Sequence, residues 1–134
     1  MTMTTELTML AWTAMLCGVL WIPYILQGIA TRGPARAMGY PKPDDKKLPD
    51  WAQRSHRAHM NLVENIGPFA ALILVAHLSG AAGETTVMAA QVFLWARVVQ
   101  AVVHIAGIPY VRTLAFFVSF FALVAIFLAI IGQA

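Results

Sequence analysis

Long apolar runs separated by short polar segments dominate this chain. Leu7 to Ala30 contains no charged residue, Thr85 to Ile108 contains only Arg97, and TLAFFVSFFALVAIFLAII (Thr113 to Ile131) contains none. A helix crosses a bilayer with about 20 apolar residues, so each run predicts one span. A fourth run, Ile66 to Leu78, is only 13 residues long. Extended back to Arg57 it reaches spanning length, which places Asn61 and Glu64 at membrane depth. Polar groups there are costly against lipid, so they are expected to point into the bundle or a wet cavity. The pattern predicts an all-α integral membrane fold: one domain over residues 1–134, a bundle of four transmembrane helices at approximately 7–30, 57–79, 85–106 and 112–132. A loop over approximately 31–54 joins the first two.

Composition agrees with this reading. Of the 134 residues 60% are hydrophobic and 11% charged, whereas a soluble domain carries roughly 25% charged residues. The start lacks a basic n-region and a small-residue cleavage site, so it reads as a span and not as a cleaved signal. The single cysteine, Cys17, excludes an intramolecular disulfide. Basic residues are one-sided. Arg32, Arg36, Lys42, Lys46, Lys47, Arg54 and Arg57 lie in or beside the first connection, Arg112 follows the third span, and the opposite ends carry Glu6 and Glu84. The positive-inside rule then puts both arginine-bearing connections in the cytoplasm and both termini on the other side. The charge of +3 is thereby explained without nucleic acid. The first connection holds four of the seven prolines and reads as an irregular charged loop near lipid headgroups.

The candidate chemistry lies in polar stripes. Arg54, Arg57, Asn61 and Glu64 are spaced by three, four and three, which puts them on one narrow helix face. Pro68 crowds the Glu64 carbonyl and predicts a local bend. Arg97, Gln100 and His104 form a second stripe, and Arg32 and Arg112 reach the same level. Glu64 is the one carboxylate among five arginines. Such a cationic surplus in a partly dry setting calls for an anionic partner, and the planar guanidinium fork suits a carboxylate. The competing reading is structural: an Arg57–Glu64 pair, with Asn61 clamping two helices. A metal or haem between His59 and His104 lacks a supporting partner, and no metal is expected. Small four-helix multidrug transporters depend on a glutamate embedded in their first helix, which Leu7 to Ala30 does not have.

RSHRAHMNLVENIGPF resembles the arginine, asparagine, glutamate and proline motif of the MAPEG family, the membrane-associated proteins in eicosanoid and glutathione metabolism. FLWARVVQAVVHIAGIPYVRTLAFF is similar to that family's third helix and the start of its fourth. The resemblance implies a homotrimer binding glutathione as co-substrate between subunits near the cytoplasmic face. It implies Arg32, Arg57, Asn61, Glu64 and Arg97 as glutathione contacts, with Glu64 on the amino group and arginines on the carboxylates; the polar stripes add Arg54, Gln100 and His104, the last two at positions where this chain departs from the family's pattern. Arg112 would stabilise the thiolate, and Thr113 falls where one branch has serine. The implied activity is transferase or peroxidase-like, joining a thiol to a lipophilic electrophile that enters from the bilayer. The alternative is a non-enzymatic protein of the same fold holding an anionic lipid, or another anion, at the subunit interface.

Overall fold

The computed structural model describes residues 2–133 and is helical, with no strand among the described residues. The order is α1 (Thr5–Val19), α2 (Trp21–Arg32), α3 (Pro34–Met38), α4 (Asp50–Ser79), α5 (Glu84–Ala106) and α6 (Pro109–Ile131). Taking α1 and α2 as one run, four helical segments are long and apolar enough to cross a membrane. The chain is an integral, multi-pass membrane protein.

Local chemistry explains the punctuation. Thr4 caps α1, its hydroxyl accepting the Leu7 amide. The expected helix 7–30 is interrupted at Leu20. Pro23 has no amide hydrogen for the Val19 carbonyl, which accounts for a break one turn earlier. The helix carrying the span expected from residue 57 begins earlier, at Asp50, with Pro49 just before it and an acid in its first turn. The polar run from Asp50 to Arg57 is therefore helical, and the connection is shorter than 31–54. That connection also contains the single-turn helix α3. The helix assignment of α4 continues through Pro68 and ends at Gly80, whose φ of 78° suits a left-handed cap.

α5 is the central element and packs against α1, α4 and α6. Its contact faces are rich in alanine: Ala89, Ala90, Ala96 and Ala101 are buried. Small residues let helix backbones approach closely where the hydrophobic effect supplies no drive, as in lipid. Phe69 of α4 stacks on Phe93 of α5 with ring centroids 4.0 Å apart, in a core completed by Ile73, Ala122 and Ile126. Large apolar side chains such as Trp95, Leu114, Phe121 and Leu128 are exposed around the outside. That distribution suits a hydrocarbon solvent.

Candidate functional site

At 100° per residue, roughly, the stripe on α4 resolves into two lines: Arg54 with Asn61, and Arg57 with Glu64, about 60° apart. The structure separates them in this way. Arg54 and Asn61 are half-buried, whereas Arg57 and Glu64 are exposed on the single subunit. The three polar residues of α5 all face inward: Arg97, Gln100 and His104 are buried.

Asn61 is the hub of the inner network. Its Oδ1 accepts from Arg97 Nη2 at 2.5 Å and from Gln100 Nε2 at 3.0 Å. Arg97 Nη1 donates to Ser119 Oγ of α6 at 3.5 Å. Asn65, one turn on, donates to the Asn61 carbonyl at 2.6 Å. Three helices are thus tied at one depth around a buried guanidinium. No carboxylate neutralises it: among the described residues the one ion pair is Arg36–Asp45, in the loop. Arg97 Nε, Gln100 Oε1 and His104 Nδ1 are buried with no hydrogen-bond partner among the described residues.

Toward the basic end of the bundle lies a cavity of about 220 Å³. Arg54, Arg57, His104 and Arg112 line it together with the Gly107–Pro109 turn. The turn exists because Gly107 adopts φ +82° to end α5 and Pro109 opens α6 at its first position. A side chain at Gly107 would place its Cβ 3.2 Å from Arg54 Cζ and Nε. Glycine thereby lets Arg54 lie over the end of α5, where Nε donates to the Ile105 carbonyl at 3.0 Å. That fixes one edge of the guanidinium and leaves the other beside the cavity.

Three arginines, then, line one small space that no acid lines. A single subunit brings together Arg54, Arg57, His104 and Arg112, and separately Asn61, Arg97 and Gln100. It does not bring in the remainder. Glu64 is exposed and makes no side-chain hydrogen bond or ion pair among the described residues, so the structural Arg57–Glu64 pair does not form. Thr113 is exposed, and its hydroxyl donates to the Pro109 carbonyl at 3.3 Å. Arg32 donates through Nε to the Lys46 carbonyl at 2.8 Å and lines a different crevice in the loop.

His59 has a role that spacing did not reveal. Its Nε2 lies 2.9 Å from the Cys17 carbonyl and its Nδ1 2.8 Å from the Tyr24 hydroxyl. A carbonyl only accepts, so Nε2 carries the hydrogen and Nδ1 accepts from tyrosine. Both ring nitrogens are therefore engaged in bracing α1 and α2 against α4 across the break at Leu20. The signal available in the sequence was a lone histidine opposite a proline-interrupted span.

The MAPEG family model matches residues 9–132. Microsomal glutathione S-transferase 1 of Homo sapiens is 35% identical over 72 residues, which are 53% of this chain and 46% of the human protein. The Bos taurus protein of the same name gives the same values. That of Mus musculus is 38% identical over 69 residues, 51% of this chain and 44% of its own length. The chain spans about half the length of the relatives it matches.

Proposed function

The chain belongs to the MAPEG family, and from that premise we propose that it is a membrane enzyme that activates glutathione for attack on a lipophilic electrophile. The observation that carries this reading is the cavity lined by Arg54, Arg57 and Arg112 without a carboxylate. Glutathione brings two carboxylates and gains a further negative charge when its thiol ionises. Arg54 and Arg57 hold the carboxylates as planar forks. Arg112, on the opposite helix, lowers the thiol pKa by favouring the charged form. The thiolate is the reactive nucleophile. His104 lines the same space and contributes a polar wall. Asn61, Arg97 and Gln100 stand behind it and fix the relative positions of α4, α5 and α6.

The cavity is also the argument for assembly. Small-molecule sites usually enclose roughly 300–1,000 Å³, and a single subunit offers about 220 Å³. Glu64 is exposed on the outer face of the subunit, where at membrane depth lipid is a costly neighbour for charge. A homotrimer that closes this face against a second copy completes the pocket and lets Glu64 receive the glutathione ammonium. The charge bias of the sequence supports a pocket at the cytoplasmic surface.

The test is saturable glutathione binding by the detergent-solubilised oligomer, followed by the ultraviolet absorbance of the bound thiolate. Wild type is expected to show both. Arg112→Ala is expected to retain binding and lose the thiolate band. No binding at millimolar glutathione overturns the proposal.

A further inference from the structure

A second polar crevice, about 290 Å³ in volume, opens where α2 ends. Four basic side chains, Arg32, Arg36, Lys42 and Lys46, line it against two acids, Asp44 and Asp45. One acid is already engaged. Arg36 Nε donates to Asp45 Oδ1 at 2.5 Å and Nη2 to Oδ2 at 3.3 Å, and the Lys42 amide donates to Oδ2 at 2.8 Å. Arg36 Nη2 also donates to the Tyr40 carbonyl at 2.6 Å, and Arg32 Nε to the Lys46 carbonyl at 2.8 Å. The arginine fork and these backbone bonds hold the proline-rich loop in one shape. The Arg36 hydrogen bond, followed by that of the Lys42 amide, holds the Asp45 carboxyl down at about 2. It therefore stays ionised in the clamp, opposite Arg36 first and, more weakly, Arg32. The guanidinium end of Arg32 and the ammonium groups of Lys42 and Lys46 remain without a hydrogen-bonded acid, opposed by Asp44 and, for Arg32, weakly by Asp45.

Depth and neighbours narrow the ligand. Arg32 is the last residue of the 28-residue apolar segment Thr5–Arg32, so the crevice opens where the hydrocarbon ends. Beside it, Met38 and Tyr40 are 85% and 91% exposed. An exposed thioether and aromatic ring next to clustered bases are the chemistry of a segment lying in the headgroup layer. We propose that this crevice binds the phosphate of an anionic phospholipid, with Arg32, Lys42 and Lys46 as donors and Met38 and Tyr40 among the upper acyl carbons. Free phosphate satisfies the same donors but gives Met38 and Tyr40 no apolar contact. The inference is independent of the thiol chemistry proposed for the other cavity.

The test uses the full chain in a non-ionic detergent, titrated with phosphatidylglycerol, phosphatidylcholine or inorganic phosphate and read by native mass spectrometry and thermal shift. Phosphatidylglycerol is expected to bind more tightly than phosphatidylcholine. Lys46→Ala should weaken it about fivefold, the scale for one base at a membrane surface. Lys47→Ala removes the same charge next door but outside the crevice, and should leave the affinity nearly unchanged. Met38→Ser with Tyr40→Ser should weaken the lipid and not inorganic phosphate. Equal losses in the Lys46 and Lys47 variants would reduce the effect to diffuse charge and overturn the site. Inorganic phosphate binding as well as the lipid, with no dependence on Met38 and Tyr40, would overturn the lipid as its occupant.

Discussion

Asn61 offers a quantitative test of the buried network. Its Oδ1 is shared by Arg97 Nη2 at 2.5 Å and Gln100 Nε2 at 3.0 Å. A hydrogen bond to a charged group contributes about 1.5–3 kcal/mol and a neutral one about 1 kcal/mol, so Asn61→Ala could cost up to about 4 kcal/mol. Polar pairs in membrane helices measure lower, about 0.6 kcal/mol on average and about 1.7 at most. The stranded guanidinium raises the expectation above those neutral pairs, to about 2–3 kcal/mol. Replacing both partners strands no charge. The double variant Asn61→Leu with Arg97→Met should therefore be more stable than Asn61→Ala by about 1–2 kcal/mol. Reversible unfolding by sodium dodecyl sulfate in mixed micelles, followed by circular dichroism and by the fluorescence of the four tryptophans, gives these differences. If Asn61→Ala costs less than about 0.5 kcal/mol, or if the double variant is less stable than either single change, the network does not hold the helices as described.

Two further outcomes are expected. Gly107→Ala places a side chain at φ +82° and its Cβ 3.2 Å from the Arg54 guanidinium; it should cost about 1–2 kcal/mol in backbone strain. It should also weaken glutathione binding by more than a change elsewhere of equal stability cost, as checked by thermal shift and titration. In the loop, the Asp45 carboxyl is lowered from the usual 3.8 to about 2, first by the Arg36 hydrogen bond. A lowered carboxyl stabilises the fold above its usual value and loses that contribution as pH falls through the lowered one. The clamp should therefore persist at neutral pH and open between pH 3.8 and about 2. The carbon-13 shift of the Asp45 carboxyl tracks this, and in Arg36→Gln its midpoint should rise toward 3.8.

Much of the fold was legible in hydropathy, because a bilayer imposes one length and one polarity on every span. The Asp50 start of α4 was missed since Asp50 to Arg57 is polar, although Pro49 and an acid in the first turn mark a helix entrance. The break at Leu20 was hidden because an interrupted apolar run has the same composition as a continuous one. The arginines of the cavity were legible as a set. Periodicity places Arg54, Arg57, Asn61 and Glu64 within one arc, but the rotation of α4 against α5 decides which edge turns inward. That rotation goes with apolar contacts such as Leu62 with Ala101 and Phe69 with Phe93, which a stripe of charges does not report. The Tyr24–His59–Cys17 brace depends on two helices meeting at one height, for which a single sequence carries no ruler.

The 30 residues of α4 extend about 45 Å at 1.5 Å each, against a hydrocarbon layer of about 30 Å. About ten residues of this rod exceed that thickness, and if the charge bias of the sequence sets the excess at the basic end, it includes Arg54 and Arg57. For the proposed reaction, a water-borne anion would thus reach the guanidiniums from bulk solution while a greasy molecule approaches sideways through lipid. Two supply lines with different rules follow. The concentration felt by the first guest is the one pipetted, whereas that of the second depends on how much membrane shares it out. Under the proposed activity, a Michaelis constant for the lipophile should then scale with lipid content, and comparing such constants requires stating it as a mole fraction in the bilayer.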